Sequence, residues 1–335
     1  MTRAVTIRDI AAEAQVSVAT VSNAMNRPGR VSAPTREKVL EVADRLGYVP
    51  PAIAHQRART HRKRIGIIAP FGAYGSYAER LKGVLGVVTA DRMEALVFDH
   101  PSASRSPSPR LASLPFSADL DGLIIMGVPV DTGLSARILD RELPTVLIDS
   151  GHPQLTSVVL DETYGAKLAA DHLVARGFER FVYVTEGQVS NDYISQGKKR
   201  LSGFLRALEE HGVPEDRIQR ITARSGDVKA GSAAAEVIAA RSRSHRVGVL
   251  AGHDVLASGV LAGLRSDGTA VPERVGVMGW DGGDLVEALG LTTIRQPLVE
   301  SGRLGAERLI AQVNDPEAPI ERVVLRPSLR TGLTT

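Results

Sequence analysis

From Ile65 onward the chain is punctuated by short apolar runs: IGIIAP (65–70), ALVF (95–98), GLIIM (122–126), TVLI (145–148), SVVL (157–160), FVYV (181–184), VGVL (247–250) and VGVMGW (275–280). Helical segments lie between many of them, at Tyr77–Thr89, Tyr164–Ala175, Lys199–His211, Gly231–Arg241 and Leu256–Leu264. Strands that are apolar throughout need cover on both faces, and alternation with helices supplies it. The pattern predicts parallel sheets wound from βαβ units. It runs for about 270 residues, more than one typical sheet uses, so two lobes are expected.

The residues before Ile65 are different. Residues 1–64 carry 12 Lys or Arg against 5 Asp or Glu, while the remainder is slightly acidic. A small basic head on a larger body is the electrostatic outline of a nucleic-acid reader joined to something else. In TIRDIAAEAQVSVATVSNAMN, Thr6 can cap a helix, with Asp9 three residues on as its capping-box partner. Ile7, Ile10, Ala11 and Ala14 then recur at helical spacing. Gln15-Val16 is a short break, Ser17 can cap a second helix, and Val18, Val21, Ala24 and Met25 continue the period. A third helix follows, with Ser32 as cap, Pro34 in its first turn, Val39, Leu40, Val42, Ala43 and Leu46 as its apolar face, and Gly47 closing it. The tight helix–break–helix spacing fits a helix-turn-helix, and spacing alone also fits a generic three-helix bundle. The basic charge and the polar face of the second helix, with Ser17, Thr20, Ser22, Asn23 and Asn26, favour the first reading, because such groups reach phosphates and base edges.

Several function classes drop out. The chain has no cysteine, which excludes disulfides, a thiol nucleophile and Cys-ligated metal sites. No apolar run approaches a membrane span, and MTRAVTIRDI has no apolar stretch of the secretory kind. There is no G-x-x-x-x-G-K-[ST], no strand-following G-x-G-x-x-G, no G-x-S-x-G, and the eight His show no H-E-x-x-H spacing. The expectation is a cytoplasmic protein that is not an enzyme, with no cofactor, no metal and no membrane partner.

TIRDIAAEAQVSVATVSNAMN followed by VSAPTREKVLEVADRLGYVP closely resembles the start of LacI/GalR-type transcriptional repressors. The resemblance continues through DETYGAKLAADHLVARGFERFVYV, KKRLSGFLRALEEHGV, AGHDVLASGVLAGLRSDG, VPERVGVMGWDGGDL and LTTIRQPLVESGRLGAERLI. It implies an all-α DNA-binding head, three helices plus a hinge helix, joined to an α/β body of two parallel-sheet lobes of the periplasmic-binding-protein-like type I. The implied layout is 1–49 for the helix-turn-helix domain, 50–64 for the hinge helix and basic linker, and 65–335 for the effector-binding and dimerisation domain. Within the body, the N-lobe would take about 65–161 plus 292–321 and the C-lobe about 162–291 plus 322–335, with crossings near 162, 291 and 322.

By the same resemblance Val18, Ala19 and Asn23 read bases, and Thr6, Ser17, Thr20, Ser22, Asn26, Arg30, Ser32 and Thr35 touch phosphates or nearby bases. Val18 and Ala19 are apolar, so they would select through thymine methyls rather than bidentate bonds. Gln15 stands where the family has Gly or Asn, and a left-handed Gln there costs about 1 kcal/mol. In the hinge Ala54 follows the family pattern, but Arg57 occupies the position of the usual Leu wedge. An Arg cannot unstack a base step by apolar insertion, so weaker operator bending, or an A/T-rich centre read through a narrow minor groove, is expected. HPSASRSPSPRLASLPFSADL (100–120) has four Pro and six Ser where the family places a helix, so only a short helix near Arg110–Leu114 is expected there.

The resemblance also implies a ligand cleft at the C-terminal ends of the strands. Its candidate residues are Tyr74, Tyr77, Asp149, Asp161, Arg200, His253, Asp281 and Gln296. Arg200 would hold hydroxyls or a carboxylate, Asp281 would accept from hydroxyls, and His253 replaces the family's Asn. Val228 stands where relatives carry a stacking aromatic, which favours a sugar over a flat base. For Asp161 a role at the lobe interface fits as well as ligand contact. The C-terminal tail has no leucine heptad, so a homodimer without a tetramerising coil is expected. The implied function is a regulator, by family habit a repressor, of a pseudo-palindromic double-stranded DNA operator, controlled by a small carbohydrate-like effector. The competing readings are a ligand-independent DNA-binding regulator, a periplasmic-type sugar-binding protein, and a sugar-kinase-like enzyme with a DNA-binding head.

Overall fold

The computed structural model describes residues 6–26, 30–46, 62–100, 120–187 and 194–335. The hinge expectations at Ala54 and Arg57, the cap at Gly47, the short helix at 110–114 and the side chain of Asn26 lie outside the described residues.

The head has three helices, α1 (Ile7–Ala14), α2 (Val18–Asn26) and α3 (Ala33–Leu46). The backbone N–H of Thr6 donates to the Asp9 carboxylate at 2.7 Å, which fixes the start of α1. Gln15 takes the left-handed conformation, φ 54° and ψ 45°, so the chain turns within two residues. Ser17 Oγ then accepts from the Thr20 N–H at 3.0 Å and opens α2. Ser32 does the same for α3 through the Thr35 N–H at 3.4 Å. Ile10, Ala14, Val21, Ala24, Val39 and Val42 form a small core, in which the alanines let the helices approach closely.

The first lobe is built on a six-stranded sheet in the order β11-β5-β4-β3-β1-β2, with every neighbouring pair parallel. Its strands are β1 (Arg64–Ala69), β2 (Glu94–Asp99), β3 (Gly122–Met126), β4 (Thr145–Ile148), β5 (Thr156–Leu160) and β11 (Arg322–Leu325). Helices α4 (Gly75–Ala90) and α5 (Thr132–Asp140) connect them. The second lobe repeats the plan with α6 (Glu162–Ala175), β6 (Arg180–Glu186), α7 (Gln196–Glu210), β7 (Ile218–Ala223), α8 (Val228–Ser242), β8 (Val247–Ala251), α9 (Asp254–Ser266), β9 (Val275–Asp281), α10 (Leu285–Leu289), β10 (Thr292–Arg295) and β12 (Ser328–Arg330). Its sheet order is β12-β10-β9-β8-β6-β7, parallel except where β12 runs against β10. β1, β3, β4, β5, β8 and β9 are apolar and buried almost end to end, as strands with helices on both faces must be.

After β10 the chain returns to the first lobe as α11 (Leu298–Asn314), whose Ala306 and Leu309 complete that lobe's core. The first crossing falls where expected, and the second and third fall a few residues later. Residues 292–295 pair with β9 in the second lobe, and residues 322–325 pair with β5 in the first, so the chain changes lobes after Leu160, after Arg295 and after Leu325. These short strands lack the long apolar runs that mark the sheet centres, so sequence alone does not show which lobe they join.

Helices α4 and α11 touch backbone to backbone. A Cβ on Gly302 would lie 1.9 Å from the carbonyl oxygen of Arg80, so only glycine fits at this contact. The close approach carries Arg80 to the end of α4 nearest the gap between the lobes.

Candidate functional site

The head presents the start of α2. Val18 is 43% exposed although apolar, Ala19 and Ser17 are exposed, and Asn23 and Ser22 are half-buried on the same helix. An exposed Val at a helix start costs apolar surface in water, and a base edge in a major groove would cover it. Thr6 and Thr35 are half-buried, while Arg30 and Ser32 are exposed. Ser17 and Ser32 are each tied by their hydroxyl to a Thr three residues on, Thr20 and Thr35, at 2.8 and 2.7 Å.

Between the lobes lies a connected cluster of buried polar groups. Asp149 follows β4 and Asp281 ends β9, and both have positive φ, 61° and 122°. Non-glycine residues held there store about 1–3 kcal/mol each, a cost common where a side chain must be aimed. Asp149 Oδ2 meets Arg80 Nη2 at 2.5 Å, with both side chains buried. Arg80 also donates to Gln296 Oε1 at 3.0 Å, and Gln296 Nε2 donates to Asp281 Oδ1 at 2.6 Å. A chain of bonds thus runs from Asp149 in the first lobe to Asp281 in the second.

Arg200 stands on the buried face of α7. Its Nε and Nη2 donate to the two oxygens of Glu162 at 2.7 and 3.2 Å, and its Nη1 donates to the Gly252 carbonyl at 2.6 Å. Its guanidinium lies 4.6 Å over the Trp280 ring. Two more contacts bridge the lobes: Tyr74 donates its hydroxyl to Glu186 at the end of β6, and Gln196 Nε2 donates to the Asp149 carbonyl.

His253 caps α9. Its Nδ1 accepts from the Leu256 N–H at 3.3 Å. Burial, helped by the nearby Arg200 charge, pushes its pKa down to about 4. The ring is therefore neutral near pH 7, and with Nδ1 accepting, the proton sits on Nε2. Tyr74 packs edge-on against it at 6.1 Å. The adjacent Asp254 points elsewhere, accepting from the Gly282 and Gly283 N–H groups at 2.7 and 3.2 Å and from the Thr293 hydroxyl at 2.7 Å. Burial pushes Asp254 up, and burial together with Asp254 pushes Asp281 up to about 8.

Six buried polar atoms in or beside this cluster have no hydrogen-bond partner among the described residues: Arg80 Nε, Asp149 Oδ1, Ser150 Oγ, Gln196 Oε1, His253 Nε2 and Trp280 Nε1. Each such atom costs about 1–3 kcal/mol unless something meets it. Native interiors keep such atoms few, so their concentration between the lobes marks a place built to meet polar groups of a ligand or water.

Of the expected ligand residues, Tyr74, Asp149, Arg200, His253, Asp281 and Gln296 come together here. Tyr77 borders the cluster from the first lobe's core, its ring 6.0 Å edge-on from Tyr74 and 5.3 Å from the Arg80 guanidinium. Asp161 caps α6, accepting from the Tyr164 N–H at 2.9 Å. Four participants were not anticipated. Arg80 shares a helix face with Tyr77, Val84 and Val88, so a charge on an apolar stripe was its signal. Glu162 is a buried carboxylate in a first helical turn, Glu186 ends a strand on the ligand side of the sheet, and Gln196 stands just inside the start of α7.

Comparison with known proteins follows the same division of the chain. Residues 6–51 match the family described as bacterial regulatory proteins, lacI family, and residues 170–335 match a periplasmic binding protein-like domain. The HTH-type transcriptional regulator DegA of Bacillus subtilis is 31% identical over 319 residues, covering 90% of this chain and 89% of DegA. The chain belongs to the LacI family. Catabolite control protein A of Streptococcus mutans is 30% identical over 338 residues, covering 99% of this chain and 98% of that protein. The solved LacI-family regulator of Enterococcus faecium with bound ribose shares the fold, with a TM-score of 0.71 at 23% identity over 82% of this chain and 98% of that one. As a LacI-family protein the chain is a DNA-binding transcriptional regulator, which sets aside the periplasmic and kinase-like readings.

Proposed function

We propose that this LacI-family regulator binds a pseudo-palindromic operator as a homodimer and that a small sugar-like effector, seated between its lobes, changes operator affinity. One α2 would enter each major groove, with Val18, Ala19 and Asn23 against base edges and Thr6, Ser17, Thr20, Ser22, Asn26, Arg30, Ser32 and Thr35 along the backbone. Ala54 and Arg57 would meet the minor groove. In the cleft, Tyr74, Asp149, Arg200, His253, Asp281 and Gln296 are the proposed ligand-facing residues. The protein acts by binding alone and performs no chemistry on its effector. The carrying observation is the group of uncommitted buried donors and acceptors lying where side chains of both lobes meet. An effector that prefers one relation of the lobes shifts the population of DNA-competent protein by that preference.

The test is thermal unfolding of the full chain against sugars, sugar phosphates, nucleosides and small acids. A ligand at 100 times its Kd adds about 2.7 kcal/mol, a readable shift. A hit lost in His253→Ala and Asp281→Asn, and altering the affinity for operator selected from random duplexes, supports the reading. No hit with operator binding intact favours a ligand-independent regulator whose lobes are held by their own bonds, as the Tyr74–Glu186 and Gln196–Asp149 contacts already suggest.

A further inference from the structure

Both guanidinium groups of the inter-lobe cluster are already matched by carboxylates of the protein. Arg80 holds Asp149, and Arg200 holds Glu162 through two bonds while giving a third N–H to a carbonyl. His253 adds no positive charge, because its ring is neutral. Three further carboxylates remain. Asp281 and Asp254 lie close enough to repel one another, and Glu186 accepts from Tyr74. Asp281, raised to about 8, is protonated near neutral pH, so two cations face the four carboxylates of Asp149, Glu162, Asp254 and Glu186. A bound anion would meet this excess in a region of weak screening, where like charges at short range repel strongly.

The uncommitted atoms have a matching character. His253 Nε2, Trp280 Nε1 and Arg80 Nε offer one N–H each, while Asp149 Oδ1 and Gln196 Oε1 only accept. A Cβ placed on Gly226 would lie 2.8 Å from His253 Nε2 and 3.5 Å from Glu186 Oε2, so a donor and an acceptor flank the same small space. A hydroxyl accepts from one and donates to the other. A phosphate or carboxylate has nothing to give Glu186.

We propose that the cleft admits uncharged polyhydroxy compounds and excludes their phosphorylated or carboxylated forms, with Glu186 as the excluding residue. The proposal rests on the reading of the cleft as the effector site. Its test uses matched probes on the full chain: D-ribose with ribose 5-phosphate, and D-glucose with glucose 6-phosphate and D-glucuronate, read by unfolding midpoint and titration calorimetry.

The expected result is binding of an uncharged member at least about tenfold tighter than its charged partners. In Glu186→Gln, which breaks no ion pair, that gap narrows. A charged member binding the wild type as tightly as its uncharged partner, with the effect lost in His253→Ala, overturns the proposal. If no probe binds the wild type, the effector reading fails with these sugars, and glucose 6-phosphate on Glu186→Gln decides the exclusion separately. Saturable binding gained there upholds it, and none overturns it.

Discussion

Replacing Glu162 by Gln would leave the Arg200 guanidinium buried with no carboxylate against it. Breaking a buried pair in this way costs about 3–5 kcal/mol, so Glu162→Gln should lower the denaturant midpoint of the body well beyond a surface Glu→Gln control. A second residue-scale prediction concerns pH. Asp281 is raised to about 8 and Asp254 to about 6, so the stability each lends the fold is full below the ordinary carboxylate range and fades as pH rises through the folded value. His253 is lowered to about 4, so its contribution is full above its ordinary value and fades as pH falls. The two trends oppose each other in mild acid. From about pH 6.5 to 8 only Asp281 is still changing, so the unfolding midpoint should fall across that window and flatten in Asp281→Asn. Gln15 offers a third case. Its positive φ costs about 1 kcal/mol, and Gln15→Gly should raise the head's melting temperature.

Among elements, the α4–α11 contact is the most demanding. A methyl at Gly302 would be driven into the Arg80 carbonyl, so Gly302→Ala should cost about 1–3 kcal/mol and displace the helix that carries Arg80. Chemical denaturation together with probe-ligand calorimetry would register both effects. The contrast between what could and could not be read beforehand has the same physical root. GLIIM, VGVL and VGVMGW sit between helices on both sides, so their composition alone betrays them. IQRITA and RVVL are edge strands with one neighbour, and their alternating burial resembles loop sequence. In the site, Asp281 and His253 were legible through the family resemblance, and they stand at a strand end and a helix start. Arg80 was not, because an arginine in a helix normally points to solvent, and only Asp149, some seventy residues away in sequence, explains why this one is buried.

At the scale of the molecule, the lobes are joined by three chain crossings and by side-chain bonds across the gap. Removing the Tyr74 hydroxyl deletes one bond without touching either core. Tyr74→Phe should therefore leave the unfolding midpoint nearly unchanged while increasing the radius of gyration of the ligand-free protein in solution X-ray scattering. An unchanged scattering curve would show that the crossings alone set the lobe arrangement.

The return of α11 and β11 to the first lobe also bears on how the protein is made. A ribosome delivers β1 to β5 early, yet the helix that covers β3 and β4 and the strand that borders β5 are translated only after all of the second lobe except β12 and the C-terminal residues. Until residue 325 has emerged, the earlier lobe keeps an uncovered apolar face and an open sheet edge. The nascent chain is most exposed to chaperones and to misassembly during that interval, and a stalled or truncated product ending near Arg295 would carry a second lobe lacking β12 and the C-terminal residues beside a first lobe lacking α11 and β11.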